Sequence, residues 1–228
     1  MQKEIFIPPT LTAHLQNIQD ALAGSHAFFY CHDNIQKTKL SAFVDKWQAF
    51  GLRADAPARA YRKRTGKASV ILCISHDYLD LAALKTDWWM FSTPGKLGLA
   101  DKESDLPGKV MDARTLPRLA VGDYEFLQAE KAITRKEKDT TWTWRMTPKR
   151  FKEWEAWLVE RAQQHDLKAV QSGFQTIRHQ PLAAGVRGQV MRLEFDVNRL
   201  LQKLGHPQIN LGELPIMIKT KRKSDQAI

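Results

Sequence analysis

A run of basic residues in the first half of the chain is its clearest chemical feature. Five cations fall within nine positions, namely Arg59, Arg62, Lys63, Arg64 and Lys67. No aspartate or glutamate occurs from Ala56 to His76. Guanidinium and ammonium groups bind phosphate oxygens, and such contacts position a protein on nucleic acid without reading base sequence. The run therefore predicts a phosphate-binding surface.

These cations are predicted to lie on one arm of a β-hairpin that spans about residues 58–75. Thr65-Gly66 is typical of a turn, since glycine readily adopts positive φ, and the apolar segment from Val70 to Ile74 follows it. A strand over residues 59–64 would expose cations on both faces of the hairpin tip. The alternative is an edge strand whose charges protect it from aggregation.

A second group of cations surrounds the predicted start of a helix. Thr147-Pro148 combines a capping residue with proline at the first helical position. The cations are Arg145 just before the start and Lys149, Arg150 and Lys152 in the first turn. Cations at this end of a helix oppose its dipole, and a bound phosphate would offset that cost. The alternative is local neutralisation by Glu153 and Glu155.

Further cations extend the predicted nucleic-acid contacts toward the C-terminus. They are Arg187 and Arg192 on a predicted helix and Lys221, Arg222 and Lys223 in the tail. A basic tail is also a common solubilising terminus, so its charge alone does not assign it a role.

Two tryptophans are candidates for stacking on unpaired bases. Trp142 and Trp144 alternate with Thr141, Thr143 and Arg145, which is the period of a β-strand. Several proteins that bind single strands hold bases on aromatic side chains beside arginine. Aromatic residues at this period are more often part of a core, and that is the alternative here.

Two His-Asp pairs could support catalysis. His32-Asp33 and His76-Asp77 each follow an apolar segment that predicts a strand, and catalytic groups often lie at strand ends. In the alternative hypothesis of a metal-dependent nuclease, His76 and Asp77 would act with Asp123 and Glu125. The sequence has no recognised nucleotide-binding, serine-hydrolase or zinc-ligand motif. We therefore expect no cofactor and no resident metal, and a binding protein rather than an enzyme.

The predicted elements indicate an α+β fold, with a mostly antiparallel sheet and flanking helices followed by a helical C-terminal part. Residues 1–147 are expected to form the α+β domain, and residues 148–205 a part with three helices marked by apolar residues at helical spacing. Residues 206–228 are expected to form an extended basic tail.

The overall charge supports a polyanionic partner. The 228 residues contain 35 Lys and Arg against 25 Asp and Glu, a net charge of +10. The first 57 residues hold five of each sign, so the whole excess lies downstream. No secretory signal or membrane span is expected, and the two cysteines suit a reducing compartment, so we predict a cytoplasmic protein.

These observations together predict a nucleic-acid-binding protein, on DNA more than on RNA, with an accessory, regulatory or subunit role. The basic hairpin and the basic helix start would hold the phosphate backbone. A metal-dependent nuclease and a protein-interaction subunit of a larger nucleoprotein complex remain the alternatives. The seven Trp and ten Phe residues fit a subunit role if some of them form an interface.

Overall fold

The chain has an α+β fold, as the sequence predicted, and its described residues form two antiparallel sheets where one was expected. The computed structural model describes residues 7–52, 56–101, 109–130, 140–212 and 214. The described residues divide into two compact units, with the division between Leu116 and Pro117.

The described part of the first unit contains three α-helices and a four-stranded sheet. The helices are α1 (Leu11–Gln19), α2 (Leu40–Trp47) and α3 (Ala56–Arg64). The strands are β1 (Phe29–Gln36), β2 (Val70–Ile74), β3 (Lys85–Ser92) and β4 (Met111–Asp112). The order across the sheet is β2-β3-β1-β4, and every neighbouring pair is antiparallel.

Helices cover both faces of this sheet, because β3 carries large side chains on each side. Trp88 and Met90 belong to a buried cluster with the apolar face of α2. On the other face Trp89 lies 4.8 Å from the His14 ring of α1, measured between ring centroids. The consecutive tryptophans therefore serve two separate packing layers.

The predicted hairpin arm is a helix, so the basic hairpin over residues 58–75 is wrong in its first half. Residues 56–64 read Ala-Pro-Ala-Arg-Ala-Tyr-Arg-Lys-Arg and form α3. Alanine, arginine and lysine are strong helix formers, and the segment lacks β-branched residues. Gly66 provides a turn at φ 71° before β2 begins, as expected. The cations predicted for a strand therefore lie on helix α3 instead.

The second unit combines a three-stranded sheet with three helices in its described part. The strands are β5 (Ala120–Val121), β6 (Tyr124–Glu130) and β7 (Thr140–Met146). The helices are α4 (Pro148–Gln163), α5 (Leu167–Arg178) and α6 (Ala184–Lys203). The sheet order is β5-β6-β7 with antiparallel pairing. The predicted start of α4 is correct, since the Thr147 hydroxyl accepts a hydrogen bond from the Arg150 amide at 3.3 Å.

The units divide between residues 116 and 117, whereas the sequence predicted a boundary after residue 147. Within the second unit, β7 packs on α6. The Met146 amide donates to the Gln189 side chain at 2.7 Å, and Gly185 approaches β7 closely. The start of the predicted tail also returns to α6, where the Leu211 amide donates to Glu194 at 2.9 Å.

Two findings bear on the expected compartment without deciding it. No helix in the described ranges is long and apolar enough to cross a membrane. Both cysteines are buried thiols, and burial raises the pKa of Cys31 to about 12.

Candidate functional site

Helix α3 and the turn after it present four of the five cations of the first predicted group to solvent. We call this the basic surface; its exposed residues are Arg59, Lys63, Arg64, Lys67 and Lys96. The turn is held against the helix, because the Lys67 amide donates to the Arg62 carbonyl at 2.8 Å. Arg64 lies over the Tyr61 ring, 5.5 Å from its centroid. The backbone that carries these cations is therefore held in place by hydrogen bonds.

Lys96 joins this surface although it lies 29 positions after Lys67 in the sequence. The loop after β3 pairs with the turn before β2, since the Ala68 amide donates to the Lys96 carbonyl at 2.8 Å. A second bond runs from the Lys96 amide to the Gly66 carbonyl at 3.0 Å. Gly95 permits this approach, because a Cβ there would lie 2.8 Å from the Ala68 nitrogen. Sequence analysis missed Lys96, whose only signal was the glycine before it.

Arg62 supports the basic surface from inside. Its side chain is half-buried, and its Nε donates to the Ala68 carbonyl at 2.7 Å. The guanidinium packs against Gly51, where a Cβ would lie 3.0 Å from the Arg62 Nε. Burial lowers the pKa of Arg62 from its usual value. The geometry thus gives Arg62 a structural role rather than the phosphate contact expected from sequence.

Three lysines of the basic surface are not paired with a carboxylate of the described residues. No described carboxylate lies within ion-pair distance of Lys63, Lys67 or Lys96. Cations in the last turn of a helix favour its dipole, which is one reason for Lys63 and Arg64 to be there. Lys67 and Lys96 lie outside the helix and gain nothing from this effect.

The second predicted group, around the start of α4, is largely neutralised. Arg145 forms an ion pair with Glu125 at 2.5 Å, and the two residues face each other across β6 and β7. Arg150 lies 3.3 Å from both Asp123 and Glu153. These contacts occupy the arginines, and they also occupy the two carboxylates proposed as metal ligands. Lys149 and Lys152 remain exposed in the first turn.

The other predicted cations have mixed environments. Arg187 is half-buried and its Nη1 donates to the Leu182 carbonyl at 3.2 Å. Arg192 is exposed and lies 3.7 Å from Asp196. Lys221, Arg222 and Lys223 lie outside the described residues.

The predicted stacking role fails for Trp144. Its side chain is fully buried and meets the Phe126 ring edge to face, with centroids 5.2 Å apart. Trp142 is half-buried and stacks on the same Phe126 ring at 5.3 Å. The two-residue period here marks the core face of β7, as the alternative interpretation held.

The two His-Asp pairs lie on the two strands beside β3, but only His76-Asp77 follows a strand end, that of β2; His32-Asp33 lies inside β1, so the predicted strand end at His32 is wrong. We call the group around them the strand-end cluster; it consists of His14, His32, His76, Asp77 and Asp87. β3 joins the pairs, because His32 of β1 faces Trp89 and the Ser75 amide after β2 donates to the Asp87 carbonyl at 2.9 Å. Asp123 and Glu125 belong to the second unit and not to this cluster.

His14 is the buried member of the strand-end cluster. Its side chain has no exposed surface, and neither ring nitrogen has a hydrogen-bond partner of normal geometry among the described residues. Its ring centroid lies 6.1 Å from that of His76. Burial, followed by the charge of His76, lowers the pKa of His14 to about 4. The imidazole is therefore neutral near pH 7.

The carboxylates of the cluster act on one another. Burial raises the pKa of Asp87, and the charges of Asp77 and Asp33 add to the rise while His32 opposes it. Asp77 Oδ1 and Trp89 Nε1 are buried without a described hydrogen-bond partner. Sequence analysis missed His14 and Asp87; a histidine on the apolar face of α1 was the available signal. Across the described ranges, no three His, Cys, Asp or Glu side chains are arranged to hold a metal ion.

Comparison with known proteins identifies no relative. No family model matches the chain, and neither the curated proteins nor the solved structures yield a match.

Proposed function

We propose that the protein binds nucleic acid by gripping the phosphate backbone with the basic surface. The observation that supports this most directly is the pairing of Lys96 with Lys67, which adds a cation from a distant loop to the run on α3. Like charges placed side by side repel one another unless an anion lies between them. An extended polyanion would place phosphates beside Lys63, Lys67 and Lys96 together.

The chemistry of the basic surface favours phosphate contacts over base reading. Lysine ammonium groups act as point charges toward phosphate, and such contacts fix position without specifying sequence. The aromatic residue Tyr61 lies beside this surface, because Arg64 lies over its ring. Binding is therefore expected to be strongly salt-dependent, because each phosphate contact releases counterions.

Two variants of equal net charge test this proposal. The first is Lys63→Gln/Lys67→Gln/Lys96→Gln, and the control is Lys39→Gln/Lys46→Gln/Lys168→Gln, whose lysines are exposed elsewhere. Affinity for duplex DNA, single-stranded DNA and RNA would be measured over a salt series. We expect the slope of log K against log salt to flatten by about 0.9 for each lost duplex contact in the first variant alone. Equal effects of both variants, or binding insensitive to salt, would reject the basic surface as the binding site.

A second candidate function, phosphodiester cleavage, is favoured by the convergence of the strand-end cluster. The cluster lies at the other end of β2 from the basic surface, and the five residues of β2 span about 17 Å. A nucleic-acid strand bound at the basic surface could therefore reach the strand-end cluster. Histidine and aspartate are the usual general acids and bases of hydrolysis.

Incubation of labelled DNA and RNA with Mg²⁺, Mn²⁺ or EDTA tests this second function. Cleavage should disappear in Asp77→Asn and in His76→Ala and persist in the control Asp45→Asn, which changes an exposed carboxylate on α2. Cleavage that survives in Asp77→Asn, or no cleavage under any condition, would exclude the strand-end cluster as a nuclease site.

A further inference from the structure

Helix α6 has one face in the core and an opposite face that no described element covers. The buried face consists of Val186, Val190, Leu193, Val197 and Leu201. The opposite face contains Met191 and Phe195, one turn apart, and each is 62% exposed. Large apolar side chains exposed side by side are a frequent mark of an interaction surface. We call the line Ala184, Gly188, Met191 and Phe195 the α6 stripe.

Gly188 is an independent sign that another chain approaches this stripe. A glycine inside a helix costs about 1 kcal/mol relative to alanine. No atom of the described residues lies within 4 Å of the place where a Gly188 Cβ would stand, so none of these neighbours requires glycine there. By contrast, Gly185 on the same helix is packed against the Trp144 carbonyl. A small residue at 188 leaves room for the backbone of a partner to pack closely beside large apolar anchors.

The charges beside the stripe indicate what kind of partner fits. Arg192, Arg199 and Lys203 follow one edge of it at helical spacing and are exposed. Arg199 lies over the Phe195 ring at 5.9 Å, so charge and apolar surface are adjacent. The nearby carboxylate is Asp196, 3.7 Å from Arg192, which offsets one of the three cations. Such an edge attracts carboxylates and opposes a second copy of itself.

We propose that the α6 stripe is the docking site for an acidic amphipathic helix of another protein. The apolar face of the partner would cover Met191 and Phe195, and its glutamates would meet Arg199 and Lys203. Helices recognise such sites through residues spaced three and four apart, which matches the spacing of the stripe. The site lies in the second unit, so it does not depend on nucleic-acid binding by the basic surface.

The probe is a labelled synthetic amphipathic peptide of about 18 residues, with leucine on one face and glutamate beside it. Its binding to the full chain would be followed by fluorescence anisotropy. We expect Phe195→Ser and Gly188→Gln each to weaken binding by about tenfold or more, as for central interface residues. The matched control is Leu84→Ser, which removes an 83% exposed leucine from the first unit and should leave binding unchanged. Circular dichroism would confirm that each variant is folded.

Three results would overturn the proposal. One is equal binding of a peptide with lysine in place of glutamate, or no loss of binding in Phe195→Ser. Another is DNA binding that Phe195→Ser and Arg199→Gln weaken while the acidic peptide fails to bind. The third is self-association in sedimentation experiments that Phe195→Ser abolishes. None of these results alters the expectation for the lysine variants of the basic surface.

Discussion

Arg62 and Lys63 are neighbours in a basic run, yet the environments of their side chains differ. Arg62 joins α3 to the Ala68 carbonyl, while Lys63 projects into solvent without a described carboxylate partner. A hydrogen bond from a charged donor to a buried acceptor contributes more than a surface charge does. The position of each residue on α3, and not its residue type, decides whether its side chain stabilises the fold or lies exposed to solvent.

We expect Arg62→Ala to lower the free energy of unfolding by about 1–3 kcal/mol, because it strands the Ala68 carbonyl and opens space beside Gly51. Lys63→Ala should change it by less than about 0.5 kcal/mol. Urea denaturation monitored by tryptophan fluorescence measures both. An equal loss in the two variants would contradict the structural role of Arg62.

His14 makes stability depend on pH. Its pKa is about 4 in the folded protein, against an ordinary value of 6.5 that the unfolded chain regains. Between these values the unfolded state binds a proton that the folded state does not. The contribution of neutral His14 is therefore complete above pH 6.5 and is lost as the pH falls toward 4. The expected loss is about 3 kcal/mol.

The variant His14→Leu isolates this effect. The stability of the wild-type protein relative to His14→Leu should fall by about 3 kcal/mol from pH 6.5 to pH 4, since leucine has no proton to gain. Urea titrations at several pH values provide the measurement, and taking the difference cancels the titration of the carboxylates. A difference that stays constant with pH would show that His14 is not held neutral by burial.

At the scale of elements, α6 is fixed by contact on one side and open on the other. A Cβ at Gly185 would lie 2.6 Å from the Trp144 carbonyl oxygen, while one at Gly188 would have no atom of the described ranges within 4 Å. The same substitution therefore has opposite consequences three residues apart. Backbone atoms of β7 cannot rotate away as a side chain can.

We expect Gly185→Ala to destabilise the protein by about 1–3 kcal/mol through this clash. Gly188→Ala should stabilise it by up to about 1 kcal/mol through helix propensity. Thermal denaturation of the two variants beside the wild-type protein gives both signs. Destabilisation by Gly188→Ala would mean that the helix is packed on that side in solution.

Local sequence rules predicted most elements but failed at α3. Thr147-Pro148 marked the start of α4, and the alternation in Thr140–Met146 marked β7. For residues 56–64 the glycine turn and the apolar β2 suggested a hairpin, although the alanine and arginine content favours helix. Helix propensity decides the conformation of this segment, and the spacing of its charges does not.

At the scale of the whole molecule, the two compact units have separate buried cores. The first is built on Trp88 and Met90 and the second contains Trp144 and Phe126. Local opening generally follows such cooperative units. A defect placed in one core is therefore expected to act mainly on that unit.

Hydrogen exchange of Gly185→Ala tests this division. Amide exchange should accelerate in β7 and α6, whose packing the substitution disturbs, and remain at the wild-type rate in β1, β2 and β3. The read-out is mass spectrometry of peptides from both units. Equal acceleration in the two units would contradict a division at residue 116.

The sequence by itself determined the α+β class, the capped start of α4 and the location of excess charge, because these depend on neighbours within a few positions. Only the tertiary structure decided which charges remain available. Strand register pairs Arg145 with Glu125, and loop pairing brings Lys96 to Lys67. Folding of the chain also brings His14 and Asp87 close to the predicted His76-Asp77 pair. Such contacts join residues far apart in the chain, and single-sequence periodicity carries no information about them.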